Sequence, residues 1–355
     1  MATANIVGMG LKPARKRPRC YLDFHQKTYV ACVAACVLVL VVLYSADQSS
    51  GFAPQTSTTL VDGRAKFALV ILATAKDAGD LNRLFVSVER WCVGYDAIFI
   101  YHNGDLDRSA LTTDVLRDPA LTRLVELTGT DWDRLPEGFD PSTRVNDFKK
   151  RSEWGYNHMI RFWFADVFWR PELQAFDYLV RLDSDACLFG PLVLPDAIEP
   201  HHVYKPNVWN ADRGEYVEGL WDTVQNYISK EKIEPRNTWM WSLSLLFHKR
   251  LGRELGYYNN FEITRREFFQ QPNVKSFTDR IVSQAPYGIY KHRWGDAILR
   301  YITLALFSSR EEIAPAVDVY LHPTHSCGAG VYNQLMYYLR PRIGAAGFWG
   351  FLVGN

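Results

Sequence analysis

The sequence predicts an α/β domain built around a mostly parallel β-sheet, preceded by one membrane-spanning helix. Short apolar runs of strand length alternate with stretches of helical spacing, and an acidic turn follows one of these runs directly. A charge-free apolar segment lies near the N-terminus. Alternating strands and helices are typical of a parallel sheet, because each parallel connection needs a crossover and a helix supplies it.

The N-terminal apolar segment, residues 29–46, predicts a signal anchor. As a helix it would be about 27 Å long, which suits a thin bilayer. Six lysines and arginines lie between residues 12 and 27, and Asp47 follows the segment. This asymmetry predicts that the basic tail, residues 1–28, is cytosolic and that the rest is lumenal. A cleaved signal peptide is the alternative, although no small-x-small site follows Leu43.

The composition is that of a folded chain. Its 355 residues are 48% hydrophobic and 22% charged, which excludes bulk disorder and allows one large domain. The formal net charge of +1 gives no sign of a nucleic-acid partner, and none is predicted. Cys92, Cys187 and Cys327 would be lumenal; three cysteines allow one disulfide and leave one thiol.

The segment after the anchor divides into a stem, a folded domain and a tail. Residues 47–66, rich in Ser, Thr and Gly at their start, predict a flexible stem. The folded domain is predicted over residues 67–340, and the apolar tail 341–355 has no assigned role. The predicted strands are Phe67–Ala73, Ala97–Tyr101, Arg123–Leu127 and Tyr178–Leu182, and the predicted helices are Asp80–Arg90 and Asp147–Trp169.

The acidic turn at Asp183–Ser184–Asp185 is the first candidate site. Ligands of open α/β sheets bind at the carboxyl ends of strands, and this turn follows the predicted strand Tyr178–Leu182. Two carboxylates spaced i, i+2 suit a hard divalent cation that completes its coordination with substrate phosphates. A solvated turn without a ligand is the alternative.

Two further segments combine carboxylates with aromatic residues. Glu262 lies in a stretch rich in Asn and aromatic residues, and a carboxylate there suits stabilisation of an oxocarbenium-like state; a helix-start glutamate is the alternative. In Arg293–Trp–Gly–Asp296, the tryptophan offers a flat face for a sugar or base and Asp296 could accept hydroxyl hydrogen bonds. A helix N-terminus with an acidic first turn explains that segment equally well.

Histidine and tyrosine complete the candidates. His322 and His325 lie near a predicted strand end, where a histidine suits a metal's nitrogen ligand, although a lone histidine is more often structural. In the predicted helix, His158 and Arg161 are three residues apart and share a face, with Tyr156 close by. The aromatic residues around them are more often core than ligand.

Five segments in order resemble the fungal-type Golgi α-1,2-mannosyltransferases, the KTR-like glycosyltransferase family 15. They are YNHMIRF at 156–162, FDYLVRLDSD at 176–185, NNFEI at 259–263, RWGDA at 293–297 and Tyr320-x-His322. The resemblance covers roughly Phe67 to Cys327. It implies a GT-A fold, which is a single Rossmann-like mixed sheet flanked by helices. It also implies a Golgi membrane enzyme that transfers mannose from GDP-mannose to a protein- or lipid-linked glycan with retention, forming an α-1,2 linkage.

The resemblance also implies roles for single residues. Asp185 and His322 would hold Mn²⁺, with Asp183 on the metal or the ribose, and Glu262 would be the catalytic carboxylate. Tyr156, Arg293 and Asp296 would position donor or acceptor.

The chain also departs from the family pattern. Asp183 and Ser184 replace Glu and Pro of the metal motif, and Arg300 replaces His. Two other functions are therefore kept as alternatives: a metal-dependent transferase that uses another donor such as a UDP-sugar, and a non-catalytic Golgi sugar-binding or assembly protein.

Overall fold

The structure is a computed structural model that describes residues 64–106, 120–145, 154–207, 209–317 and 319–321. The predicted cytosolic tail, the anchor at 29–46, most of the stem and the tail 341–355 lie outside these ranges. Within the described ranges, no helix has the length and apolar character needed to cross a membrane.

The described residues form short and medium-length strands connected by helices. The strands are β1 (Phe67–Leu72), β2 (Cys92–Val93), β3 (Ala97–His102), β4 (Thr122–Glu126), β5 (Tyr178–Leu182), β6 (Cys187–Leu188), β7 (Leu192–Val193), β8 (Tyr204–Pro206), β9 (Trp209–Arg213), β10 (Arg253–Tyr257), β11 (Phe261–Arg265) and β12 (Tyr320–Leu321). The α-helices are α1 (Ala78–Trp91), α2 (Gly129–Trp132), α3 (Gly155–Phe164), α4 (Leu194–Ala197), α5 (Leu220–Glu231), α6 (Thr238–Leu246), α7 (Arg266–Gln270), α8 (Pro272–Ser283), α9 (Gly288–Lys291) and α10 (Asp296–Phe307).

The central sheet has the strand order β4-β3-β1-β5-β11-β8. The pairs β4–β3, β3–β1 and β1–β5 are parallel, whereas β11 is antiparallel to both β5 and β8. The α/β class is therefore as predicted, and the sheet is mixed, as the resemblance to GT-A enzymes implies. The predicted strands agree with β1, β3, β4 and β5 to within one residue at each end; β8 and β11 were not predicted.

The two faces of the sheet pack against different helices. On β1, Ala68 and Val70 join a core with residues of α3 and α10, such as Phe162 and Leu299. Leu69 and Ile71 of the same strand point to the opposite face, whose core includes residues of α1. Because side chains alternate along a strand, one continuous apolar run serves both cores. The face of α3 and α10 carries the candidate site.

The predicted helix Asp147–Trp169 is shorter in the structure. The α-helix spans Gly155–Phe164, and a 3₁₀ turn over Asp166–Trp169 follows it; residues 146–153 lie outside the described ranges. Between the two, Ala165 leaves helical geometry at φ −128°. The sequence does not mark this break, because the aromatic residues on both sides of it are buried and hydrophobic periodicity is lost.

The described cysteines fit the prediction of one disulfide and one remaining thiol. Cys187 is disulfide-bonded, and Cys92 is a buried free thiol. Burial raises the pKa of Cys92 to about 12, so this thiol is protonated and unreactive in the folded protein. Cys327 lies outside the described residues.

Candidate active site

The acidic turn follows β5 directly at the carboxyl edge of the sheet. The backbone N–H of Asp183 donates to the carbonyl oxygen of Asn260 at 3.1 Å. The hydroxyl of Tyr320, on β12, donates to the same oxygen at 2.5 Å. Asp183 and Asp185 are both half-buried, so the turn holds two carboxylates that are still partly accessible to solvent.

A buried arginine connects this turn to a second carboxylate. Nε of Arg181 donates to Oδ1 of Asp183 at 3.1 Å, and Nη1 donates to Oδ2 of Asp296 at 2.5 Å. Asn259 donates to the same Oδ2 at 3.0 Å, and the guanidinium lies 4.3 Å from the ring centroid of Trp163. Burial alone would lower the pKa of Arg181, but the nearby carboxylates outweigh it and the pKa lies above its ordinary value.

Glu262 is the second residue of β11, so the alternative of a helix-start glutamate is wrong. Its side chain is 3% exposed and accepts two hydrogen bonds from Arg300, at 3.1 and 3.2 Å. Arg300 is fully buried, also donates to the carbonyl oxygen of Trp163 at 2.6 Å, and stacks near the rings of Phe168 and Phe269. The carboxylate is therefore held in one orientation by a buried counter-charge.

Glu262 and Arg181 point to the same face of the sheet, because they are register partners on β11 and β5. The charge of Glu262 also contributes to the raised pKa of Arg181. The predicted catalytic carboxylate and the predicted binding residues Asp183 and Asp296 therefore belong to one buried network of charges.

Tyr156 and Arg293 contact each other on the same side of the sheet. Nη2 of Arg293 donates to the Tyr156 hydroxyl at 2.9 Å, and the guanidinium lies 5.0 Å from the centre of that ring. Arg293 has φ +79°, in the left-handed region that a residue with a side chain rarely adopts. Burial raises the pKa of Tyr156, against the opposing charge of Arg293.

Trp294 does not offer a face to a ligand, and that expectation is wrong. The side chain is fully buried, and its Nε1 donates to the carbonyl oxygen of Glu218 at 3.0 Å. A Cβ added to Gly288 would lie 2.0 Å from its indole ring. Trp294 therefore anchors the loop that carries Arg293. Asp296 is the first residue of α10 and accepts a hydrogen bond from Arg181.

Tyr258 links the acidic turn to the tyrosine–arginine pair. Burial is the largest cause of its raised pKa, and the charges of Asp183 and Asp185 and the nearby Tyr156 raise the pKa further. Tyr258 is therefore within electrostatic range of both the turn and Tyr156. Among the predicted donor and acceptor residues, Arg181 joins Asp183 to Asp296, and Arg293 contacts Tyr156.

His158 and Arg161 share a helix face, as predicted, but this face belongs to the core. Nη1 of Arg161 donates to the Tyr290 hydroxyl at 3.1 Å, and that hydroxyl lies 3.2 Å from Nδ1 of His158. Burial and the charge of Arg161 lower the pKa of His158 to about 4. The imidazole is therefore neutral in the folded protein.

Within the described ranges, no group of three His, Cys, Asp or Glu side chains is arranged to hold a metal ion. His322, the predicted nitrogen ligand, follows β12 and lies outside those ranges. Asp183 and Asp185 remain as hard oxygen donors on one turn, which is the ligand chemistry that Mg²⁺ and Mn²⁺ prefer.

Sequence reasoning assigned no role to several residues that complete this site: Arg181, Asn259, Asp212, Tyr216 and, as a partner of Glu262, Arg300. One signal was available. Arg181 interrupts the apolar strand YLVRL, and a charged residue in a buried strand needs a counter-charge. Asp212 and Tyr216 had no such signal, because β9 lacks an apolar run.

The chain is similar to a family of known proteins. The family model described as glycolipid 2-alpha-mannosyltransferase matches residues 142–334, more than half of the chain. The O-glycoside alpha-1,2-mannosyltransferase homolog 2 of Schizosaccharomyces pombe is 25% identical over 65% of this chain and 69% of that protein. The glycolipid 2-alpha-mannosyltransferase of Saccharomyces cerevisiae is 28% identical over 48% of this chain, but over just 39% of its own length.

Solved structures share the fold. The core-mannan synthase A of Aspergillus fumigatus, in a Mn/GDP form, has a TM-score of 0.62 and 17% identity over 78% of each chain. At this identity the likeness establishes the fold alone. The α/β mannosyltransferase architecture predicted from the resemblance is thus confirmed for the described residues.

Proposed function

Since the chain belongs to the glycolipid 2-alpha-mannosyltransferase family, we propose that it transfers a mannosyl group from GDP-mannose to a glycan acceptor on protein or lipid. Membership of this family makes the chain a glycosyltransferase and confirms the resemblance read from its motifs. The transfer is proposed to retain the anomeric configuration and to form an α-1,2 linkage.

The observation that supports this proposal most directly is the acidic turn after β5. It lies at the carboxyl edge of the sheet, where open α/β sheets bind nucleotides. Asp183 is oriented by Arg181, and Tyr258 lies beside the turn. A diphosphate leaving group carries charge that must be neutralised in the transition state.

Asp183 and Asp185 fit a divalent cation by the chemistry of their oxygen donors. We propose that Asp185 ligates Mn²⁺ together with His322, and that Asp183 ligates it or contacts the ribose. When bound, the ion would act as a Lewis acid that stabilises the departing diphosphate.

Glu262 is proposed to stabilise the positive charge that develops at the anomeric carbon. Its carboxylate is oriented by two hydrogen bonds from Arg300 before any ligand binds. Preorganisation of this kind lowers the cost of reorganisation during the reaction. Tyr156, Arg293 and Asp296 are proposed to position donor or acceptor around it.

We propose that the protein is attached to the membrane through its N-terminal segment. The charge-free segment 29–46 and its basic flank support a single-pass Golgi anchor with the catalytic domain in the lumen. A stem of about twenty residues would let the domain reach acceptors near the bilayer surface.

The proposal is tested by titrating GDP-mannose into the purified full-length protein in detergent, with and without Mn²⁺, and then assaying transfer to methyl α-mannoside. We expect Mn²⁺-dependent binding, and stronger competition by GDP than by UDP. Stronger competition by UDP would replace GDP-mannose with a UDP-sugar. Donor binding without transfer or donor hydrolysis would favour a non-catalytic role.

A further inference from the structure

A cluster beside Tyr156 includes two residues, Asp212 and Tyr216, that have no role in the reaction as described so far. It consists of Asp212 on β9, Tyr216 in the 3₁₀ turn Gly214–Val217, and Arg293. The Arg293 guanidinium lies 4.7 Å from the ring centre of Tyr216, and its Nη1 lies 3.9 Å from Oδ2 of Asp212. Because the same guanidinium contacts Tyr156, two aromatic rings and a carboxylate surround one cation.

The cluster is held by rigid surroundings. A Cβ on Gly295 would lie 3.6 Å from Oδ2 of Asp212, so the loop before α10 passes close to that carboxylate. Trp294, between Arg293 and Gly295, is fixed in the core. The left-handed backbone of Arg293 is a strained conformation, and such residues persist where the surrounding structure enforces them and often at functional sites.

The cluster remains open to a ligand. The side chains of Asp212 and Arg293 are 28% and 15% exposed, whereas those of Arg181 and Asp296 are below 10%. Burial raises the pKa of Asp212, and the charge of Arg293 opposes that shift. Tyr156 and Tyr216 are half-buried, and partly accessible aromatic rings beside a carboxylate and a guanidinium match the apolar faces and hydroxyl groups of a sugar ring.

The charges of the region favour a neutral ligand. The charged neighbours of Asp212 are the guanidinium groups of Arg293 and Arg213 and the carboxylate of Asp296. A phosphate or carboxylate bound directly against Asp212 would be repelled by that carboxylate. An uncharged sugar hydroxyl can donate to Asp212 and accept from Arg293 without that cost.

We propose that Asp212, Tyr216 and Arg293 form the acceptor subsite, which binds an uncharged terminal hexose beside the donor. This inference rests on the proposed function, because the segment that carries Arg293 also carries Asp296, which Arg181 links to Asp183 of the acidic turn where the donor is placed. Asp212 accepts hydrogen bonds from acceptor hydroxyls, and the two tyrosines flank the sugar. Asp212 is therefore a specificity-determining residue.

The test compares Asp212→Asn with wild type and with Asp222→Asn, an exposed aspartate on α5. All use the full-length protein in detergent. Binding of methyl α-mannoside in the presence of GDP and Mn²⁺ is measured by saturation-transfer NMR, and GDP-mannose binding by calorimetry. Loss of a hydrogen bond to a charged group predicts acceptor affinity about tenfold to a hundredfold weaker in Asp212→Asn, with donor affinity unchanged. Mannose 6-phosphate should compete more weakly than mannose.

Each other outcome has a definite meaning. Unchanged mannoside affinity in a folded Asp212→Asn overturns the subsite, as does a wild-type protein that binds GDP-mannose but no mannoside. Parallel loss of donor affinity would place the cluster in the donor site instead. Failure of the wild type to bind GDP-mannose overturns the proposed function separately. If Asp212→Asn does not fold, Tyr216→Ala, which removes one flanking ring, is judged by the same two measurements.

Discussion

Two buried guanidinium groups at the candidate active site hold carboxylates to which the proposal gives a role. Arg181 holds Asp183 and Asp296, and Arg300 holds Glu262. Breaking a buried ion pair by removing one partner leaves an uncompensated charge, which costs about 3–5 kcal/mol. Substitutions at Glu262 therefore affect stability as well as chemistry, and the two effects must be separated.

Glu262→Gln keeps the shape of the side chain and removes its charge. If the charge acts in the transition state, kcat and kcat/KM should both fall by at least about a hundredfold while the Kd for GDP-mannose stays near that of wild type. Turnover at saturating donor and calorimetry measure the two quantities.

A double variant separates chemistry from stability. Glu262→Gln combined with Arg300→Gln removes both buried charges, so the thermal stability lost in the single variant should be partly regained. Turnover should stay low, because the carboxylate is still missing. Recovery of turnover together with stability would mean that Glu262 has a structural role.

Asp185→Ala tests the metal assignment. A half-buried turn carboxylate contributes little packing, so the fold should survive, and Mn²⁺ should no longer strengthen donor binding. Circular dichroism checks the fold, and calorimetry with and without Mn²⁺ checks the binding. Glu234→Gln, at an exposed loop position, is the matched control. Metal dependence that persists in Asp185→Ala would exclude this residue as a ligand.

Among the elements, those buried on both faces were predictable and those at the site were not. β1 is a continuous apolar run, β3 is apolar up to His102, and β5 is apolar except for Arg181; such runs mark buried parallel strands. β11 reads FEITR, and its polar residues Glu262 and Thr264 lie on the face that packs against α3 and α10. Its polar inward residues have specific partners elsewhere in the chain, and a single sequence does not reveal such pairings.

The same limit applies to the loop before α10. Its motif identified Arg293 and Asp296, but the sequence did not show that the side chain of Trp294 packs in the core and anchors the loop rather than facing a ligand. That distinction depends on Gly288, which leaves room for the indole and lies on another element.

Gly288→Ala should damage this loop severely. The new Cβ would lie 2.0 Å from the ring of Trp294, which is already fully buried, so the loop or α9 must move. Overpacking typically costs about 1–3 kcal/mol and here should also weaken acceptor binding. Gly79→Ala in α1 is the control: its Cβ would meet nothing within 4 Å, and it should be neutral or slightly stabilising. Thermal unfolding distinguishes them; equal melting temperatures would contradict this account of the loop.

At the scale of the whole molecule, buried histidines determine how stability depends on pH. Burial lowers the pKa of both His158 and His202 to about 4, from a usual 6.5. Because their unfolded forms bind protons at a higher pH than the folded forms, the free energy of unfolding falls as pH drops from about 6.5 to about 4.

Replacing one buried histidine should flatten this dependence. A shift of the pKa from 6.5 to about 4 corresponds to about 3 kcal/mol at most. Between pH 6.5 and 4, the free energy of unfolding should therefore fall less in His158→Gln than in wild type, by up to that amount. Urea unfolding across this range measures it. Above pH 7 both proteins should show parallel curves, because the histidine is then neutral in both states. Equal slopes below pH 6.5 would show that His158 titrates normally.

Arg181 is one cation shared by two anions, and this has a consequence for the order of events at the site. If Asp183 ligates the metal ion as proposed, the ion would compete with Arg181 for that carboxylate, and the guanidinium would be drawn more fully to Asp296. Asp296 in turn lies within electrostatic reach of Asp212. We therefore expect binding at one end of the site to change affinity at the other. Thermodynamic linkage requires that a mannoside change the affinity for Mn²⁺ by the same factor by which Mn²⁺ changes the affinity for the mannoside.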